Sequence, residues 1–193
     1  MTLFIVGIAV FLGIHSLAIF APGLRRGLIA RIGEGGFKGL YSVVSLVGFL
    51  AIIWGYGDAK AATPVLYTPP TGLRHLVLLL MIPVFPLLLA TYLPGRIKAA
   101  VKHPMLTAVK TWGLSHLLAN GTLADVLLFG GFLAWAVIDR ISLKRRGPAV
   151  APTPGPIIND IIAVVVGLGL YVAFIMGIHQ YLFGVAPIAS MTR

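Results

Sequence analysis

Long apolar segments dominate this chain and leave few folds open to it. Hydrophobic residues make up 59% of the sequence and charged residues 10%, and the mean hydropathy is +0.99. A water-soluble domain of 193 residues cannot bury that much apolar surface. The sequence therefore predicts an all-α, polytopic transmembrane helix bundle with the lipid bilayer as its main partner.

Six apolar segments are long enough to be predicted as spans. They are Leu3–Ala21, Leu40–Gly57, Leu73–Leu93, Pro104–Asn120, Thr122–Val137 and Ile161–Phe183. Two of the connections are predicted as basic loops, at Pro22–Gly39 and Pro94–His103. Pro83 and Pro86 predict a kink in the third span, with space opened beside it.

The basic side chains predict the topology. Eleven of the fifteen Lys and Arg residues fall in three loops on one side of a six-span arrangement, which places both termini on the non-cytoplasmic side. Five spans are the alternative, because the fourth segment is short and contains Lys110. The net charge of +10 is interpreted as a topology signal and a contact with anionic lipid, and no nucleic-acid surface is predicted.

Composition divides the chain into three parts. Residues 1–146 are predicted as a membrane domain of five spans. Residues 147–160 are predicted as an extended proline-rich linker, because four prolines lie within it. Residues 161–193 are predicted as an additional transmembrane helix with a short tail.

Polar residues inside predicted spans are the candidates for a functional site, because titratable side chains in lipid are costly. The fourth span holds Lys110, Trp112, His116 and Asn120, and the last three share one helical face. His15 is the other histidine deep in an apolar segment. Neutral imidazole is a strong iron ligand, so His15 and His116 are predicted as a metal-binding pair that can hold haem b between two helices. The alternative is that each histidine only hydrogen-bonds a neighbouring helix.

The remaining histidines lie nearer the ends of spans. His75 and His179 form a second conceivable pair, although histidines at the end of a span usually face the interface. His103 precedes Pro104, a position more typical of helix capping or of contact with lipid headgroups than of ligation.

Three other residues in or beside the predicted spans have two interpretations each. Thr122 and Asp125 have the spacing of a capping box, and the alternative is that Asp125 orients a histidine or Lys110. Lys110 is predicted to extend to the cytoplasmic face, or to pair with a carboxylate or a haem propionate. Trp112 is predicted either to wall a pocket or to pack in the core.

Several chemistries are excluded by what the sequence lacks. With no cysteine there is no disulfide, no thiolate nucleophile, no iron–sulfur cluster and no covalently attached haem. One carboxylate within the predicted spans provides no proton relay, and the absence of an internal repeat argues against the common transporters.

Six short motifs give the chain a family resemblance. They are Phe11–Ser16, Gly39–Leu46, His103–Leu106, Trp112–Gly121, Leu127–Gly130 and Ala134–Val137. Through them the chain resembles the NnrU family of bacterial membrane proteins over residues 3–146, whereas the sixth span resembles the family only in being apolar. The resemblance implies a multi-pass protein of the bacterial inner membrane with a role in denitrification, in nitrite and nitric oxide metabolism.

The NnrU family is in turn similar to zeta-carotene isomerase of plants and cyanobacteria, a membrane enzyme that uses haem b. By that resemblance the iron ligands fall on His15 and His116, and His103 matches a further histidine. Lys110 and Trp112 are candidates for contacts with the cofactor. The implied function is haem-dependent, either redox chemistry on a nitrogen oxide or isomerisation of a polyene such as a carotenoid.

A non-enzymatic function is the alternative. Ser42, Ser45 and Gly48 recur every three residues and give the second span a face for close packing. That face could dock a second copy of the chain or a membrane protein partner, such as a respiratory nitrogen-oxide reductase that this protein helps to assemble.

Overall fold

The computed structural model describes residues 1–147 and 154–188, and the regular structure within them is helical. The predicted all-α class is therefore confirmed. The helices are α1 (Thr2–His15), α2 (Leu17–Phe20), α3 (Pro22–Ala62), α4 (Leu73–Met81), α5 (Val84–Tyr92), α6 (Arg96–Val101), α7 (Pro104–Ala119), α8 (Leu123–Asp125), α9 (Gly131–Arg145), α10 (Ile157–Ala173) and α11 (His179–Phe183). π-Helical turns at Val126–Gly130 and Phe174–Ile178 join α8 to α9 and α10 to α11. Pro148 and Pro152 of the predicted linker, and the tail beyond residue 188, lie outside the described residues.

Within residues 1–147 and 154–188, four helical stretches are long and apolar enough to cross a membrane. They are Pro22–Ala62, Leu73–Tyr92, Leu123–Arg145 and Ile157–Phe183, and α1 is a shorter apolar helix. Large apolar side chains on these helices are exposed, as lipid-facing residues are, with Val165 64% and Met176 80% accessible. These helices agree with the predicted multi-pass membrane bundle, while six spans and the side of the termini stay predictions.

Two segments predicted as loops are helical. Residues 22–39 belong to α3, which begins with Pro22 in its first turn, where a proline suits a helix. The helical path is broken there at Gly33, with φ 75° and ψ 166°. The segment 94–103 contains α6. Both loop predictions were wrong because basic and glycine residues were taken as loop signals, although most of the other residues there favour helix.

The predicted kink in the third span is confirmed at Pro83, which separates α4 from α5. The break interrupts the backbone hydrogen bonds of the helix. Near it, the Leu78 carbonyl accepts a hydrogen bond of 2.8 Å from the Tyr171 hydroxyl of α10. α10 also fills the expected space, because a Cβ on Gly167 would lie 2.5 Å from Pro86 N. A neighbouring helix thus satisfies the backbone group near the break.

One compact unit comprises Met1–Thr68 and Asn120–Arg146. Within it α1 packs along α3 through glycines, since a Cβ on Gly55 would lie 2.6 Å from Phe4 N and one on Gly48 would lie 2.8 Å from Phe11 N. Gly48 is therefore covered by α1 and is not a docking surface, and Ser42 is exposed away from it. The predicted small-residue face is therefore covered within the chain at Gly48, the Ser45 Oγ atom is also buried, and Ser42 alone of the three is exposed.

The second unit comprises Pro69–Ala119 and Gly147–Arg193, with its described residues ending at 188. Here α5 packs against α7 and α10. The start of α10 also caps α6, because the Asp160 carboxylate accepts hydrogen bonds from Arg96 N (2.8 Å) and Ile97 N (3.0 Å). A span starting at Ile161 would leave Asp125 as the only carboxylate within the predicted spans. α10 begins at Ile157, so Asp160 also lies within a helix of spanning length. The predicted division at residues 146 and 160 stays a prediction.

Candidate functional site

His15 lies at the last position of α1 with its tautomer fixed by the backbone. Its Nδ1 is 2.7 Å from the Phe11 carbonyl oxygen, one helical turn earlier. A carbonyl oxygen only accepts, so Nδ1 carries the proton and donates it. The lone pair is consequently on Nε2, the form in which histidine binds a metal.

Aromatic rings surround the His15 imidazole. Phe11 stacks on it with ring centroids 4.2 Å apart, Tyr41 lies at 5.1 Å, and Trp135 meets it edge-on at 5.8 Å. These rings come from α1, α3 and α9, so three helices of one unit position the imidazole. The packing restricts the rotamers of His15, which is what a ligand needs in order to bind without further ordering cost.

A cleft of about 310 Å³ opens beside His15. Tyr41 and Phe37 contribute to its wall, and Arg25 and Lys38 bring positive charge to it. The Arg25 guanidinium lies 5.4 Å from the centre of the Phe37 ring, and Lys38 forms an exposed ion pair of 2.8 Å with Glu34. The cleft combines one imidazole, aromatic walls and basic side chains.

His116, in the second unit, has the same local geometry as His15. Its Nδ1 is 2.9 Å from the Trp112 carbonyl oxygen, so it too donates from Nδ1 and carries the lone pair on Nε2. The His179 ring lies 6.4 Å from it, with the two planes 27° apart. The Nδ1 of His179 is also 2.7 Å from a carbonyl oxygen, but that of Val185, six residues later and beyond the end of α11. His179 is thus placed beside His116, and its conceivable pairing with His75 stays a prediction.

The other predicted members of the polar face of α7 have separate surroundings. Trp112 lies 5.2 Å from the His116 ring and packs against the core of Val84, Leu87 and Ala108, so its core-packing role is observed. Lys110 is half-buried on α7. Asn120 is not on the helix, which ends at Ala119. The prediction that Asn120 continues the polar face of α7 was therefore wrong, because the turn at Asn120-Gly121 ends the helix one residue earlier than predicted.

The two remaining histidines lie at helix entries. His75 is exposed in the first turn of α4. His103 precedes α7, and its carbonyl oxygen accepts a hydrogen bond of 3.1 Å from Thr107 N. The predicted helix-entry position of His103 is confirmed.

Asp125 is the centre of a buried polar cluster in the first unit. The predicted capping box is confirmed, because Asp125 N donates to Thr122 Oγ1 while Asp125 Oδ2 accepts from Thr122 N at 2.9 Å. Its other oxygen accepts from the Tyr56 hydroxyl at 2.5 Å and lies 3.2 Å from Lys60 Nζ. Lys60 also donates to Asn120 Oδ1 at 3.1 Å. The partners of this carboxylate in its own unit are therefore Thr122 and, from α3, a tyrosine and a lysine.

Tyr56 and Lys60 are the residues that sequence reasoning missed. They are four apart in the sequence and so lie on one face of α3, which is a detectable signal. The second span was predicted to end at Gly57, so Lys60 was assigned to a loop. The helix continues to Ala62 and brings Lys60 level with Asp125.

A short backbone pairing covers this cluster. Val65 forms an isolated antiparallel bridge with Thr122, and Leu66 N donates to the Gly121 carbonyl at 2.7 Å. The Tyr67 hydroxyl donates to the Asn120 carbonyl at 2.8 Å. Partial burial and, second, the nearby charge of Asp125 raise the pKa of Tyr67 above its ordinary value, so the hydroxyl keeps its proton at neutral pH.

The described residues contain no group of three or more His, Cys, Asp or Glu side chains arranged for a metal ion. A pair of histidines is a ligand set that suits a macrocycle supplying its own donors. His15 and His116 belong to different compact units. The pairing predicted for them, with Lys110 and Trp112 beside the cofactor, stays a prediction.

Apolar helices of spanning length, with imidazoles set among aromatic side chains, define a polytopic membrane protein with a candidate ligand-binding site at its histidines. The family model for NnrU protein matches residues 3–187, nearly the whole chain. The chain therefore belongs to the NnrU family. The match continues through α10 and α11, which corrects the expectation that the resemblance beyond residue 146 is only apolar. No curated protein and no solved structure matches the chain.

Proposed function

We propose that this NnrU-family membrane protein binds one haem b through two intramembrane histidines, His15 and His116, with Lys110 and Trp112 near the cofactor. The bound haem serves nitrogen-oxide metabolism or the isomerisation of a polyene such as a carotenoid. The proposed location is the bacterial inner membrane. When bound, haem would supply an iron centre that gains or loses an electron.

The observation that supports this proposal most strongly is the shared tautomer of the two histidines. Each Nδ1 donates to a carbonyl four residues earlier on its own helix, at 2.7 Å for His15 and 2.9 Å for His116. Metal-bound histidines almost always donate their second ring nitrogen in this way, which fixes the ring and raises the basicity of the ligating nitrogen.

The cleft beside His15 fits the other requirements of the group. Its volume of about 310 Å³ is at the lower end of the range of cofactor pockets, so it would accommodate part of a macrocycle. The carboxylates of haem need cationic partners where they leave the apolar region. Arg25 lines the same cleft, and so does Lys38, which is paired with the Glu34 carboxylate there. The aromatic walls would exclude water from the iron.

The test is an absorption spectrum of protein purified without added cofactor, with haem quantified after extraction into alkaline pyridine. We expect a haem b spectrum and about one haem per chain. His15→Ala and His116→Ala should each lower the haem content at least fivefold, whereas His75→Ala, at an exposed position, should leave it unchanged. A wild-type preparation without haem, which stays colourless after incubation with added haemin, would refute the proposal. A haem band that survives both substitutions would refute the ligand assignment alone.

The non-enzymatic alternative predicts that the same preparation contains no haem bound to this protein. A respiratory nitrogen-oxide reductase would co-purify with a colourless protein, and the histidine substitutions would not change the yield of the complex. The face of small residues that the sequence predicts for docking offers less free surface to a partner, because Gly48 is already packed against Phe11 of α1.

A further inference from the structure

A second cleft, of about 500 Å³, lies in the first unit on the opposite end of α9 from Asp125. The bend of the chain between α2 and α3 opens it, because Ala21 leaves the helical conformation at φ −133° and ψ 54°. Its lining comes from that bend and from the last turns of α9, and it includes Phe20, Pro22, Ile138, Ile141, Arg145 and Arg146. This cleft shares only Ala18 with the cleft beside His15.

The cleft is apolar along its length and basic at one end. Phe20 is 71% exposed and Ile141 44% exposed, so both present hydrocarbon to whatever fills the space. Arg145 and Arg146 lie at the C-terminal end of α9 and line the cleft, and the Arg146 guanidinium turns back along the helix to the Ser142 carbonyl (3.4 Å) and Asp139 (3.3 Å). An elongated apolar surface with cationic groups at one end has the polarity of an acyl chain joined to an anionic headgroup.

One of the two arginines has an acidic neighbour and the other has none among the described residues. Arg146 is 3.3 Å from Asp139 Oδ1 on its own helix, a partly exposed pair that contributes little. Arg145 has no acidic partner among residues 1–147 and 154–188. The helix α3 also begins at the cleft with Pro22, and the first amide groups of a helix carry partial positive charge and lack partners within the helix. Three sources of positive potential therefore line one largely apolar cleft.

We propose that this cleft binds one anionic diacyl phospholipid, with the phosphate between Arg145 and Arg146 and an acyl chain along Phe20, Ile138 and Ile141. The phosphate would receive charge-assisted hydrogen bonds from the guanidinium groups, which match its oxygens in geometry. The site is independent of the haem proposal, because none of its basic residues belongs to the cleft of His15.

The experiment measures lipid adducts of the purified detergent-solubilised protein by native mass spectrometry. Phosphatidylglycerol and phosphatidylcholine with identical acyl chains are titrated separately, and glycerophosphoglycerol and inorganic phosphate are the probes without chains. We expect phosphatidylglycerol to bind at least tenfold more tightly than phosphatidylcholine, and neither soluble probe to compete at tenfold excess.

The variants test the position of the site. Arg145→Gln should weaken phosphatidylglycerol binding about fivefold and the double variant Arg145→Gln/Arg146→Gln about 25-fold, while Arg145→Lys should retain most of it. The matched control is Lys144→Gln, which removes the same charge from the same helical turn outside the lining of the cleft and should change binding less than twofold.

Three results would overturn the proposal. Equal binding of the two phospholipids would remove the role of headgroup charge. Competition by inorganic phosphate alone would identify an ion site without a lipid. An equal loss in Lys144→Gln and Arg145→Gln would show general surface attraction. Because Arg145 and Arg146 are exposed, all variants should elute as the wild type does on size exclusion, and unchanged phosphatidylcholine binding provides the internal check of folding.

Discussion

Replacing Asp125 by alanine should destabilise the first unit more than any other single loss of a carboxylate there. Asp125 is fully buried, and its side chain accepts from Tyr56, Lys60 and Thr122. Loss of the reciprocal half of the capping box costs about 1 kcal/mol. A buried Tyr56 hydroxyl without an acceptor costs about 1–3 kcal/mol more. Lys60 remains partly exposed and can turn to water, so it adds little. The expected total is about 2–4 kcal/mol.

Thermal unfolding in detergent, followed by far-UV circular dichroism, measures the effect. For a chain of this length the estimate corresponds to a fall in Tm of about 4–16 °C. The matched control is Asp58→Ala, an exposed carboxylate on the same helix as Tyr56 and Lys60, which should lower Tm by less than about 2 °C. Asp125→Asn, which keeps one acceptor oxygen, should fall between them. Equal shifts in Asp125→Ala and Asp58→Ala would refute the reasoning that the cluster stabilises the unit.

Two further predictions concern helix packing. Gly55→Leu should destabilise the protein by about 1–3 kcal/mol in the same unfolding assay, because the new Cβ would lie 2.6 Å from Phe4 N. Gly57 faces open space, so Gly57→Ala should be neutral. Equal effects of the two substitutions would contradict the close packing of α1 on α3. Asp160→Ala removes the acceptor of two α6 amides, so hydrogen–deuterium exchange at Arg96 and its neighbour should accelerate at least tenfold while exchange in α1 is unchanged. Unchanged exchange at α6 would show that α10 does not cap it.

Local signals in the sequence predicted local structure well. The capping box of Thr122 and Asp125 and the break at Pro83 were both foreseen, since each depends on residues within one helical turn. The helical course of residues 22–39 was not foreseen. Glycine was treated there as a loop residue, yet Gly33 alone departs from helical dihedrals, and helix formers such as Leu24 and Arg25 determine the rest.

Partners far apart in the sequence could not be predicted. Tyr56 and Asp125 are 69 residues apart, and the sequence does not show which helix face meets which. The cap of α6 by Asp160 likewise could not be predicted from the sequence, because the acceptor follows its donors by more than 60 residues. At the candidate site, the sequence identified His15 and His116 as histidines in apolar surroundings. It did not show that the Nδ1 atom of each donates to its own helix, nor that His179 lies beside His116.

The most direct test of bis-histidine haem binding is low-temperature electron paramagnetic resonance of the oxidised, purified protein. Two imidazole ligands make the ferric iron low-spin and six-coordinate, and that signal is what we predict for the wild type. His15→Ala and His116→Ala should each convert the haem that remains to a high-spin form, and added imidazole should restore the low-spin signal. A wild-type haem that is already high-spin, or a low-spin signal unchanged in either variant, would contradict ligation by this pair.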